Sequence, residues 1–142
     1  LAGCDAETCR FTLTTPRAMK GGDLLEIYSP GGTHWNLHDN TIAGCLVPVV
    51  LDSYGSPTAV FARNLITRGG ATGVKEALAL KGRFDLLGNT FSGFDEPGSV
   101  AVALYLDRFG QVPANRYRGN VFDQCTTVVA EQQPGMWAAG QR

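Results

Sequence analysis

One six-residue pattern occurs four times in this chain: an apolar residue, two variable residues, Asn, one variable residue, then Ile or Phe. The copies are Leu37-His-Asp-Asn40-Thr-Ile42, Phe61-Ala-Arg-Asn64-Leu-Ile66, Leu86-Leu-Gly-Asn89-Thr-Phe91 and Tyr117-Arg-Gly-Asn120-Val-Phe122. The steps between the Asn residues are 24, 25 and 31 residues. Each copy is followed by a loop and a run that alternates in apolar character or is rich in β-branched residues: Pro48–Leu51, Ala77–Leu80, Val102–Leu106 and Thr127–Ala130. Leu24–Ile27 fits the same place one repeat earlier. Such runs read as short strands. A repeat of about two dozen residues holding two or three short strands is the length of one solenoid coil.

The recurring Asn has a physical reason. Asn tolerates the left-handed backbone that a sharp corner needs. In coils stacked about 4.8 Å apart, its amide can also bond to the amide above it. The stacking expected from the pattern makes Leu37, Phe61, Leu86 and Tyr117 one buried column, and Ile42, Ile66, Phe91 and Phe122 another. The competing architecture is a β-sandwich, whose strands have no need to repeat one six-residue pattern in register.

The fold class expected is all-β, a parallel β-solenoid of about five coils, which the resemblance given below makes a right-handed parallel β-helix. Residues 1–142 form a single domain or fragment, with Asn-ladder coils over 24–131 and a tail, 132–142, as a partial cap. Leu1-Ala2-Gly3-Cys4 copies Ile42-Ala43-Gly44-Cys45, so the chain reads as beginning inside a coil. Missing flanking coils, or end-to-end association at an open coil, are expected from this. The same four letters could form a lipoprotein cleavage box, but no apolar signal stretch precedes them.

Composition narrows the partners. Twelve Lys and Arg balance 13 Asp and Glu, which leaves no basic field for nucleic acid. No apolar run approaches the roughly 20 residues of a membrane-spanning helix. Cys4, Cys9, Cys45 and Cys125 show neither CxxC nor zinc-ligand spacing with His, so buried thiols or one disulfide are the options. No cofactor and no metal are expected.

Assigning faces by period two puts Val49/Leu51, Leu78/Leu80, Leu104/Leu106 and Val128/Ala130 inside. One outward column then reads Tyr28, Asp52, Lys81, Asp107, Glu131, with Tyr105 in a second and Arg83 and Arg108 just past the strand ends. Alternating charges of this kind either neutralise one another as a salt-bridged ladder or line a groove. In a groove, Lys81 is the candidate base for β-elimination on a uronic acid polymer, and Arg108 or Arg83 would stabilise the developing charge. Tyr28, Asp52, Tyr105, Asp107 and Glu131 are candidate substrate contacts. Asp52 and Asp107 would stand about 9.6 Å apart by strand spacing, the wide edge of the separation for an inverting glycosidase. His34, His38 and Trp35 near a corner read as packing or as a sugar-stacking site. The loops 67–75 and 92–99 exceed the tight corners elsewhere and are places for function.

The Asn pattern resembles the right-handed parallel β-helix of pectate lyases, alginate- and chondroitin-type lyases and phage tailspikes. Glu76-Ala-Leu-Ala-Leu-Lys81, followed by Asn89-Thr-Phe91, is similar to the Glu-to-Lys strand and Asn-Thr-Phe turn of the alginate and chondroitin-type lyases. Where those families carry Arg-His-Gly on the next coil, this chain has Leu106-Asp107-Arg108-Phe109-Gly110. The resemblance implies an acidic polysaccharide as partner and an extracellular or periplasmic location. It leaves open a lyase, a non-catalytic sugar-binding or surface segment, and a glycosidase.

Overall fold

The structure, a computed structural model, describes residues 35–45, 49–52 and 59–141. Leu24–Ile27, Tyr28 and His34 lie outside the described residues, as do Cys4 and Cys9. The described part is a parallel β-solenoid of four turns, each turn giving one strand to each of three sheets. The first sheet stacks β1 (Trp35–His38), β4 (Ala59–Ala62), β7 (Asp85–Leu87) and β10 (Tyr117–Arg118). The second stacks β2 (Thr41–Ala43), β5 (Leu65–Thr67), β8 (Thr90–Ser92) and β11 (Val121–Asp123). The third stacks β3 (Val49–Asp52), β6 (Glu76–Lys81), β9 (Val100–Tyr105) and β12 (Thr127–Glu131). The five coils expected include the one that would hold Leu24–Ile27.

Both expected apolar columns form. Leu37, Phe61, Leu86 and Tyr117 are register partners in the first sheet. Ile42, Ile66, Phe91 and Phe122 are partners in the second. Phe91 and Phe122 stack with centroids 5.3 Å apart. Each such side chain taken fully from water contributes about 1.5–3 kcal/mol, so the two columns and the third-sheet leucines are the main stabilising mass.

The Asn file runs along the corner between the first and second sheets. The backbone N–H and Nδ2 of Asn40 both donate to Asn64 Oδ1, at 3.0 and 2.9 Å. Asn64 makes the same pair of bonds to Asn89 Oδ1, and Asn89 to Asn120 Oδ1, all at 3.0 Å. The second Nδ2 hydrogen binds a main-chain carbonyl, that of Leu37 for Asn64 and Phe61 for Asn89. Asn64 and Asn89 are 1% and 0% exposed, a depth that only fully bonded amides tolerate cheaply.

One part of the expectation is corrected here. The left-handed residue at this corner is the one before each Asn: Asp39 (φ 58), Arg63 (φ 52), Gly88 (φ 64) and Gly119 (φ 66). The strained position turns the chain, which leaves the Asn free to present its amide along the stack. Glycine takes this conformation at little cost in the last two turns; Asp and Arg hold it in the first two.

Two alignments of the third sheet are also corrected. Lys81 pairs with Tyr105, and Leu78 and Leu80 with Val102 and Leu104, not with Leu104 and Leu106. The slip is two residues. It arises because Val100–Leu106 alternates for its whole length, so registers two apart give the same face pattern. In the last turn the slip is one residue, which reverses the faces. Val129 pairs with Val102 and Glu131 with Leu104. Val129 packs on the core, whereas Val128 is 38% exposed.

Beyond β12 the tail forms a single short helix, α1 (Met136–Gly140), over the end of the solenoid. Trp137 stacks on Tyr117 with centroids 4.6 Å apart and meets Phe122 edge-on at 6.0 Å. Met136 is buried, and Gly140 lies so close to the Tyr117 ring that a Cβ there would sit 2.2 Å from it. Glu131 accepts bonds from the Gly135 and Trp137 N–H groups and so satisfies two donors at the start of this helix.

Candidate functional site

The outer face of the third sheet carries small residues in register. Val50, Ala79, Ala103 and Ala130 form one outward column. The next position along the strands holds Asp52, Lys81 and Tyr105. Small side chains beside a large one make a step, and the step is a shallow groove of about 260 Å³ lined by Glu76, Ala103, Leu104, Tyr105, Ala130, Glu131 and Gln132.

Tyr105 defines this groove. Its Oη donates to Glu76 Oε1 at 2.6 Å. Glu76 pairs with Val100 at the opposite end of β9, so the phenol reaches back along the sheet to meet it. Ala79 and Ala103, in the outward column beside Tyr105, are each 4% exposed. The bond to the Glu76 carboxylate, and secondly burial, hold the Tyr105 phenol above its ordinary pKa. On the side of the preceding turn, the Lys81 ammonium stands 5.5 Å from the ring centroid. On the side of the following turn lie Ala130 and Gln132, where the groove opens. The Gln132 amide is fixed by a bond from the Leu106 N–H at 2.8 Å.

The expected charged column is not a single column. Asp52 and Lys81 are neighbours in register, and among the described residues no ion pair joins them. Asp107 leaves the sheet. Its Oδ1 accepts from the N–H groups of Phe109 and Gln111, at 2.9 and 2.8 Å, and fixes a turn. Glu131 sits in the row of Leu51, Leu80 and Leu104 and serves the terminal helix. Asp52 and Asp107 therefore do not face each other across one intervening strand. Arg83 and Arg108 are exposed, Arg83 on the connection after β6 and Arg108 on the connection after β9. The Arg108 guanidinium stacks 4.5 Å from the Phe109 ring.

Glu76 and Phe109 belong to this face and carried no role in the sequence reading. Glu76 is five residues from Lys81, and only the register and the length of the Tyr105 side chain bring it into the groove. Phe109 could have been noticed as the one large apolar side chain in an otherwise polar turn.

The remaining candidates are elsewhere. Loops 67–75 and 92–99 stack on each other, with Arg68 bound to Asp95 at 3.2 Å and to Glu96 at 2.9 Å. The Gly73 N–H donates to Glu96 and the Ser99 hydroxyl to the Val74 carbonyl, so they act as a braced wall. His38 bonds Asp39 at the first corner. Cys45 and Cys125 are free, half-buried thiols, and burial pushes the Cys125 thiol up, away from the reactive thiolate. Among the described residues no group of three or more His, Cys, Asp or Glu converges as a metal site, and no helix is long and apolar enough to cross a membrane. No family model matches this chain, and neither a curated protein nor a solved structure matches it.

Proposed function

We propose that this chain is a β-helix of the pectate lyase-like kind that binds an acidic polysaccharide outside the cytoplasm, along the outer face of its third sheet. The observation that carries the reading is the Tyr105 groove. An aromatic ring braced by Glu76 and Lys81 borders a floor of alanines, open toward the last turn. A pyranose ring offers an apolar C–H face to such an aromatic and hydroxyls to the carboxylates beside it.

The charges support an acidic partner. Three carboxylates of the face are engaged internally: Glu76 by Tyr105, Asp107 by its own turn and Glu131 by the terminal helix. Lys81 ends β6, Arg83 follows it by two residues and Arg108 follows the end of β9 by three, all three exposed. Asp52 is a fourth carboxylate of the face, exposed beside Lys81, and the three cationic side chains around it give an anionic chain groups to pair with.

Binding is favoured over cleavage. A base for β-elimination must be neutral, whereas the contact Lys81 makes with the Tyr105 ring is one suited to the charged ammonium.

Affinity electrophoresis in gels containing polygalacturonate, alginate or chondroitin sulfate tests the reading. Retardation in at least one gel is expected, and Tyr105→Ala should weaken it about tenfold, near the 1–1.4 kcal/mol of a stacked ring. Free migration in all three would overturn it. Ultraviolet absorbance of unsaturated products, lost in Lys81→Ala, would replace binding with a lyase.

A further inference from the structure

The open side of the Tyr105 groove carries one side-chain amide whose orientation its neighbours fix. Gln132 follows β12 directly and is exposed. Its backbone N–H donates to the Leu104 carbonyl at 2.9 Å, which sets it one strand spacing, about 4.8 Å, from β9. Its side-chain Oε1 accepts from the Leu106 N–H at 2.8 Å. Only the oxygen of an amide can meet an N–H, so the oxygen is held by the scaffold and Nε2 faces away from it. Among the described residues Nε2 makes no bond. Two N–H donors therefore stand at the edge of the groove, already ordered before anything binds. The carboxylates of the groove differ from this. Both Glu131 oxygens are taken by the Gly135 and Trp137 N–H groups, and Glu76 lies at the hydroxyl end of the Tyr105 ring.

We infer that Gln132 is the specificity-determining residue of this groove, its Nε2 donating to the carboxylate of a uronic acid whose ring stacks on Tyr105. The inference rests on the polysaccharide reading given above and deepens it. A sugar hydroxyl both donates and accepts, so an amide donor and a carboxylate suit it equally. A sugar carboxylate only accepts. It gains a charge-assisted bond from Nε2 and is repelled by the Glu76 carboxylate. The two ends of the groove therefore sort the substituents of the ring, carboxylate toward Gln132 and hydroxyls toward Glu76. Lys81 does not do this sorting, because it stands one turn back, on the opposite side of Tyr105 from Gln132.

The test is calorimetric titration with oligogalacturonate and with the same oligomers after reduction of their carboxyls to alcohols. Four proteins are compared: wild type, Tyr105→Ala, Gln132→Glu and Gln132→Met. In Gln132→Glu the new carboxylate still accepts from the Leu106 N–H, but an anionic acceptor replaces the two donors. This variant is expected to weaken oligogalacturonate about tenfold and to leave the reduced oligomers within about twofold of wild type. Gln132→Met removes the donors without adding charge. It should show the same split at about fivefold, and it carries the test if circular dichroism shows that the charged variant is disturbed. Uronate binding weakened in Gln132→Glu but not in Gln132→Met would reduce the effect to repulsion at a distance and overturn the direct bond. Equal weakening of both ligands would make Gln132 a piece of the wall and overturn the carboxylate selectivity. Wild-type affinity in both Gln132 variants, alongside loss in Tyr105→Ala, would remove the role of Gln132 and leave the groove standing. No binding of either ligand by wild type would remove the groove and the inference together.

Discussion

The solenoid has one corner built the same way four times and one route built differently each time it is seen. Between the first and second sheets every turn uses a left-handed residue followed by Asn, and the amides form one file. Between the third and first sheets, β6 passes to β7 through three residues, while β9 reaches β10 through eleven. The constant corner buries its polar groups and pairs them with each other. The variable route places Arg83, Arg108 and Phe109 in solvent. A stacked fold needs one register-setting feature per turn. Once that is supplied, the other connections are released to carry side chains outward.

If the constant corner carries the register, its interior rungs should matter most. Asn89→Ala removes the acceptor for two donors of Asn64 and the partner of two others, the Phe61 carbonyl and Asn120 Oδ1. The buried Asn64 N–H loses its acceptor, while Asn64 Nδ2 keeps the Leu37 carbonyl and Asn120 Oδ1 keeps the Asn89 N–H; the loss should cost about 3 kcal/mol, read from the midpoint and slope of urea unfolding. Asn40 sits at the first described rung and is exposed, so Asn40→Ala should cost about 1 kcal/mol. Equal losses at the two positions would show that the file is a string of independent local bonds and not a buried ladder.

The variable route has its own anchor, and it is smaller. Asn115 accepts from the Phe84 N–H at 2.9 Å and donates to the Gly82 carbonyl and the Tyr117 hydroxyl at 3.1 and 3.0 Å. One side chain thereby ties the long connection to the short one of the turn before. Asn115→Ala should lower stability by about 2 kcal/mol, less than Asn89→Ala. The Asp85–Arg116 pair beside it holds the end of the connection in place when that amide is gone. A larger loss than at Asn89 would reverse the ranking of the two regions.

How much of this was legible follows the same division. The Asn file, both apolar columns and a turn of two or three short strands could be read from the chain, because stacking forces the same residue types to recur at equivalent places. The third sheet was legible in composition and not in register. Val100–Leu106 alternates without a break, and nothing local distinguishes Lys81 beside Asp107 from Lys81 beside Tyr105. The last turn did carry a usable signal. Nine residues separate Asn40 from Val49, and nine separate Asn120 from Val129, so equal spacing marks Val129 as the inward residue. Adjacent Val128 and Val129 hid this, since either satisfies a strand. The engagement of Glu131 with the terminal helix had no sequence signature, because it depends on where a chain end comes to rest.

The smallest effect lies within the constant corner itself. At the left-handed position the first two turns carry Asp39 and Arg63, where the last two carry glycine. The Arg63 Nε and a terminal guanidinium nitrogen each reach an Asp39 oxygen at 2.8 Å. These bonds, with a lesser one from His38, hold the Asp39 carboxyl at about 2, below its ordinary value. A carboxyl with a lower pKa folded than unfolded adds stability that is complete above the unfolded value of about 3.9 and is lost as pH falls through the folded one. Stability should therefore decline between about pH 4 and pH 2 by an amount that Asp39→Asn removes. Both partners are exposed, so the decline should shrink in high salt. Carboxyl titration by carbon-detected NMR, with urea midpoints at the two pH values, reads it directly. An Asp39 carboxyl that titrates near 4, or a variant as acid-sensitive as wild type, would mean that the two non-glycine residues are tolerated at this corner without the ion pair compensating their strain.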